Sequence, residues 1–157
     1  YNYFNNCAFI MIINAKKLII GCILAIVPIV SMAGKLSKAP LPETITSFLA
    51  THFSSTKVAF YKIDKNLFGI ESYDVILTDG TDLEFDEKGR WIEIDGEKKA
   101  LPLSVIPVEI QNYVKEHFPD QYVVCIDKKK RDRIEVQLNS GWELLFDKNY
   151  QIINIDD

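Results

Sequence analysis

The feature that most constrains this chain is that it matches itself. Pro42, Ile45, Phe48, Leu49, His52 and Phe53 match Pro107, Ile110, Tyr113, Val114, His117 and Phe118 at an offset of 65. Further on, Tyr73, Val75, Leu77, Gly80, Leu83, Phe85, Asp86, Ile92, Ile94 and Asp95 match Ile134, Val136, Leu138, Gly141, Leu144, Phe146, Asp147, Ile153, Ile155 and Asp156 at an offset of 61. Self-similarity at a fixed spacing is the mark of one structural unit used twice. The second copy is four residues shorter, and the shortening is expected between its helix and its sheet.

Within each copy the period changes from helical to extended. Ile45, Phe48, Leu49, His52 and Phe53 form one stripe at helical spacing. Pro42 and Pro107 suit a first helical turn, where no amide donor is needed, and Glu43 and Glu109 sit where the helix dipole favours an anion. Pro119 stops the second helix. Beyond the helix, Tyr73, Val75 and Leu77 alternate with Ser72, Asp74 and Thr78, and Leu83 and Phe85 with Asp82, Glu84 and Asp86, as in strands with one buried face. Asp79-Gly80 is a tight hairpin signal, and residues 86–89 make a second turn before a strand from Trp91 to Ile94.

Each copy therefore reads as a helix followed by about four antiparallel strands. A unit of some 55 residues buries little surface alone, so the two copies should associate through their sheets or helices. The expected architecture is α+β: two tandem repeats, residues 41–96 and 106–157, each one helix on an about four-stranded antiparallel meander, joined by a linker at 97–105 into one body.

The beginning of the chain reads differently. Residues 1–10 contain no methionine and look like an upstream extension of the reading frame. Residues 11–33 have the three parts of a signal peptide: Lys16 and Lys17, an apolar run from Leu18 to Val30, and Ser31-Met32-Ala33 before a cut. The apolar run falls short of the roughly 20 residues that a spanning helix needs. Lipidation at Cys22 is a weaker alternative, because only four apolar residues separate that cysteine from the lysine pair. The expected location is periplasmic or secreted, with no membrane span after cleavage. Beyond residue 33 the chain has 16 basic against 22 acidic side chains, a balance repelled by nucleic acid phosphates.

Tandem Pro-started helices and strands ending in a Gly, Leu, Phe-Asp pattern, behind a signal peptide, resemble the exported PepSY-like proteins described as β-lactamase-inhibitor-like. The likeness spans about residues 41–157. It implies a helix on an antiparallel sheet in each repeat, a periplasmic setting and a sheet face that docks a protein. It carries over no inhibitory residue and does not make β-lactamase the target.

No catalytic constellation stands out. His52 and His117 lie on apolar helical stripes without a second ligand at i+3 or i+4 on the same face, so packed histidines are the expectation, with no metal and no cofactor. Ser54 and Ser55 have no nucleophile elbow around them. Asp74, Asp79, Asp82, Glu84, Asp86 and Glu87 lack EF-hand spacing and read as a solvated face and turns. Cys125 sits in the apolar run Val123 to Ile126 and reads as a small buried side chain. The basic run Lys128 to Arg131 with Arg133 falls at a hairpin and reads as a solvated loop.

Strand parity singles out Trp91, which falls with Glu93 opposite to the buried Ile92 and Ile94. Trp91, Ile76 and Leu145 are therefore the expected partner-binding residues, forming an apolar patch on an open sheet face unless the strand register shifts. The expected function is that of an exported non-enzymatic binding protein, able to act as an inhibitor, whose partner is an envelope or secreted protein. The alternative is a small-ligand or cation-binding module of the cell envelope.

Overall fold

The computed structural model describes residues 40–67 and 69–157. The signal peptide expected over 11–33 and the extension over 1–10 lie outside the described residues. Both helices form where the apolar stripes predict them. Helix α1 spans Glu43–His52 and α2 spans Val108–His117; Pro42 and Pro107 are their N-caps, and Phe53 and Phe118 their C-caps. The inward stripe of each buries an Ile and an aliphatic partner one turn on, Ile45 with Leu49 and Ile110 with Val114. Burial of such a side chain contributes about 1.5–3 kcal/mol, which more than offsets the marginal stability of an isolated ten-residue helix. No described helix is long and apolar enough to cross a membrane.

The helices lie on an eight-stranded sheet whose spatial order follows the sequence: β1 (Val58–Asn66), β2 (Gly69–Leu77), β3 (Asp82–Asp86), β4 (Trp91–Asp95), β5 (Val123–Lys129), β6 (Arg133–Leu138), β7 (Glu143–Phe146) and β8 (Ile152–Asp156). Every neighbouring pair is antiparallel. The two halves join through β4 and β5, with Glu93 opposite Asp127, Ile94 opposite Ile126 and Asp95 opposite Cys125. Between them the chain stays close to the sheet. Gly96 and Leu101 donate their N–H groups to the carbonyls of Val124 and Val123 at 2.8 and 2.9 Å, and a 3-10 turn at Leu103–Val105 leads into α2.

One core runs beneath both helices, including Val75, Leu83, Phe85 and Ile94 from the first half and Ile126, Val136, Leu144 and Phe146 from the second. Phe48 of α1 meets Phe85 edge-on at 5.6 Å, and Tyr113 of α2 meets Phe146 in the same way at 5.4 Å. The tight turns match as well. Asp86 Oδ1 accepts from the N–H groups of Lys88 and Arg90, as Asp147 Oδ1 does from Asn149 and Gln151. Gly89 has φ 75°, and a Cβ there would collide with the Thr44 side chain; its counterpart Tyr150 holds the same left-handed conformation at φ 59°.

Register irregularities recur at matching places: between Val58 and Phe60 and between Val123 and Cys125, and again at the ends of β3 and β7. These pairings also correct the expected position of the length difference. The arm between the pair Val58↔Leu77 is four residues longer than that between Val123↔Leu138. The four residues therefore extend the first hairpin and do not lie between helix and sheet.

Candidate functional site

Since the helices cover one face, period-two alternation sends Asp74, Asp82, Glu84, Glu93, Asp95, Asp127 and Glu135 to the other. The register aligns them. Reading straight across the strands, Lys62 faces Asp74, then come Glu84, Glu93, Asp127, Glu135, Leu145 and Asn154. Like charges directly opposite on adjacent strands repel, so this row of carboxylates opposes folding unless cations or protons compensate.

The compensation visible in the row is partial. Lys129 forms ion pairs with Asp127 and with Glu135, the latter at 3.0 Å, and Lys62 reaches Asp74 at 3.9 Å. Burial works against the charge on Lys129, but Asp127 and Glu135 overcome it and raise its pKa. Burial, reinforced by Asp127, Glu84 and Asp95, pushes Glu93 up to about 8. Asp82 rises to about 6, through burial and then Asp74 and Asp95. Burial also leads the upward shifts of Asp74, Glu84 and Asp95.

Glu93, Asp95 and Cys125 meet on the same face, their nearest ligand atoms all within 4.8 Å of one another. Two carboxylates and a soft sulfur do not make the set of six to eight oxygens that Ca²⁺ takes. Cys125 is buried as expected, but at the parity facing away from the helices, opposite Asp95 and Gln137.

The patch expected from Trp91, Ile76 and Leu145 does not assemble. A bulge between the pairs Glu84↔Glu93 and Phe85↔Trp91 sets two residues of β4 against one step of β3, so Trp91 shares the helix-side face with Phe85. There its ring packs against the core, Lys128 Nζ sits 3.5 Å from the ring centroid, and the same ammonium donates to the Trp91 carbonyl at 3.1 Å. Ile76 and Leu145 do lie on the face opposite the helices, opposite Asp82 and Glu135. They stand on β2 and β7, five strands apart, or roughly 24 Å.

The other singled-out residues are local in effect. His52 Nδ1 lies 2.9 Å from Ser104 Oγ beside the Phe48 ring, and His117 stacks on Tyr113 at 4.1 Å with Nδ1 3.0 Å from the Tyr113 carbonyl. Of the acidic cluster, Asp79 and Asp86 accept from backbone N–H groups of their own turns, which lowers their pKa despite partial burial, while Asp74 and Glu84 join the row and Asp82 lies beside it on the same face. Glu93, Asp127 and Glu135 were missed as members, and Asp95 as their neighbour on the same face. Their parity was a usable signal, but their alignment needs the β4–β5 pairing, which no local pattern encodes.

The profile of a family described as "Putative beta-lactamase-inhibitor-like, PepSY-like" matches residues 71–154, more than half of the chain. The chain belongs to this PepSY-like family. Among solved structures, it is similar to a protein from Bacteroides vulgatus described as a putative periplasmic protein, at 42% identity and a TM-score of 0.68, covering 74% of this chain and 91% of that one. A second Bacteroides vulgatus protein, also described as putative periplasmic, matches at 40% identity and a TM-score of 0.68 over 74% and 92% of the two chains. A protein from Bacteroides thetaiotaomicron described as "putative calcium-regulated periplasmic" matches at 38% identity and a TM-score of 0.69 over 74% and 91%. No curated protein matches the chain. The PepSY-like assignment agrees with the resemblance read from the helix starts and strand endings, and the relatives' descriptions agree with an envelope setting.

Proposed function

We propose that this PepSY-like protein is an exported, periplasmic, non-enzymatic binding protein that docks another protein on the sheet face opposite its helices. The observation that carries the reading is the row Asp74, Glu84, Glu93, Asp127 and Glu135, in which the repulsion of adjacent carboxylates is relieved by a partner that brings Lys or Arg. Ile76 and Leu145 are its apolar contacts, and Trp91, on the helix side, is a packing residue. The same reading takes the two halves as copies of one unit, supported by the coincident bulges and Asp-centred turns. The partner is an envelope or secreted protein, and inhibition would follow from steric occlusion.

The test is retention of envelope proteins on immobilised protein from Gly34 to Asp157. A protein held by wild type, released by salt, and not held by a Glu84→Gln, Asp74→Asn double variant is the expected outcome. Equal retention by that variant sinks the proposal.

The acidic row also favours a second reading, binding of a divalent cation, since a 38%-identical relative is described as calcium-regulated. Calorimetry with Ca²⁺ separates the two. Saturable heat that disappears in Glu84→Gln supports the cation, and no heat removes it.

A further inference from the structure

The corner of the first half where α1 ends beside β1 is open, and its counterpart in the second half is closed. Phe53 caps α1 as Phe118 caps α2, and Val58 pairs with Leu77 as Val123 pairs with Leu138. The two strands also share a register shift, between Val58 and Phe60 and between Val123 and Cys125, so their backbone groups point in corresponding directions. Yet Val58 is 39% exposed and Val123 only 4%. The difference comes from what lies alongside. In the second half β4 and the linker run past β5: Gly96 and Leu101 donate to the carbonyls of Val124 and Val123, and Leu101 is itself buried in the core. In the first half the corresponding carbonyls are those of Ala59 and Val58, and no described strand lies outside β1.

At this open corner is an apolar cavity of about 240 Å³, whose walls include Leu49, Ala50, Phe53, Val58 and Leu77. The Thr56 hydroxyl, also at the wall, donates to the Phe53 carbonyl at 3.0 Å and so adds little polarity. The volume is below the roughly 300–1,000 Å³ of sites for drug-sized ligands and suits a single side chain. Beside it, the edge of β1 offers backbone acceptors. A small apolar pocket next to a strand edge is the arrangement that recognises a peptide: main-chain hydrogen bonds hold an extended segment, and the pocket selects one of its side chains. The linker indicates which side chain, because Leu101, with its own N–H on the Val123 carbonyl, runs along the equivalent edge.

We propose that this corner docks an extended segment of another protein, with a leucine-sized aliphatic side chain in the cavity and a backbone N–H on the Val58 carbonyl. A second copy of this chain does not offer its linker for this, since Leu101 is 5% exposed in its own fold. Because α1 forms one wall, the site lies on the helix side of the sheet, and the acidic row stays available to its own partner.

The test uses a fluorescent synthetic peptide with the sequence of residues 97–106, added to the exported, processed protein in salt high enough to screen the peptide's lysines from the acidic row. Anisotropy should show saturable binding, and amide resonances of Ala50, Ser54 and Val58 should shift. A Leu101→Ala peptide should bind about tenfold or more weakly. Ala50→Trp in the protein should fill the cavity and weaken binding by a similar factor, with a melting temperature near wild type because Ala50 is exposed on α1. Absence of binding, equal binding of the two peptides, or binding unchanged in Ala50→Trp would overturn the proposal. Shifts at Glu84 and Asp127 in place of Val58 would overturn it too, by assigning the peptide to the acidic row. So would self-association lost in Ala50→Trp, which would give the cavity to a second copy, or binding that appears only in a protein starting at Pro40, which would give it to the chain's own preceding residues.

Discussion

The first half of the molecule, α1 with β1–β4, and the second, α2 with β5–β8, put the same kinds of side chain against the helices and different kinds on the opposite face. Phe85 and Phe146 are both fully buried under an aromatic ring, Phe48 and Tyr113. In the row across the other face, Asp74, Glu84 and Glu93 of the first half correspond to Glu135, Leu145 and Asn154 of the second. Packing constrains the helix side twice over, because a changed volume there costs stability in either half. The opposite face is free of that constraint, so its side chains differ between the halves, with Lys62 and three acids in the first against Asp127, Glu135, a leucine and an asparagine in the second.

The comparison breaks most visibly if the two cores are unequal. Phe85→Ala and Phe146→Ala should each cost about 3–5 kcal/mol in urea unfolding. A difference between them larger than about 2 kcal/mol would mean that one half carries the fold.

The acid row should separate the halves by pH. The folded pKa of Glu93, about 8, lies above its ordinary 4.5, so the folded state binds more protons than the unfolded chain between those values. Stability from this group is therefore greatest at and below about pH 4.5 and falls as pH rises toward 8. Asp82 acts in the same sense between 3.8 and about 6. Glu93→Gln should flatten the decline between pH 6 and 8 and raise stability at pH 8 by on the order of 2–4 kcal/mol. Asn154→Ala, its counterpart, should leave the pH profile unchanged. A wild type equally stable at pH 6 and pH 8 would remove the assignment.

A smaller contrast lies in the turns. Gly89→Ala should destabilise by about 1–3 kcal/mol, because the added methyl meets Thr44 in a left-handed backbone. Tyr150→Ala, already left-handed without glycine, should lose only its packing on the core, and thermal melting of the two variants distinguishes strain from lost contact. The smallest effect concerns the cation over Trp91, which Ile152 lacks in the second half. Lys128→Ala should cost about 0.5–1 kcal/mol and shift tryptophan fluorescence to the red. Unchanged emission would mean that the ammonium does not rest on the ring.

Much of the fold is legible in local sequence patterns. The apolar stripes place both helices, because a helical face is set by neighbours three and four residues away. Alternation from Tyr73 to Leu77 and from Asp82 to Asp86 places β2 and β3, and Asp79-Gly80 their hairpin, for equally local reasons. Trp91 is misassigned by the same rule: parity counting assumes one residue per step, and the bulge beside Phe85 inserts an extra one.

By itself, then, the sequence determined the helices and strands, their order and the parity of the strand residues away from bulges, all of which follow from short-range sterics and hydrophobic period. Only the tertiary structure decided that β4 pairs with β5, that Trp91 turns to the helix side, and that Glu93, Asp127 and Glu135 continue a row begun by Asp74. The physical reason is that strand pairing and bulges are settled between segments distant in the chain, where the burial of one shared core selects the register and the charges on the other face must follow it.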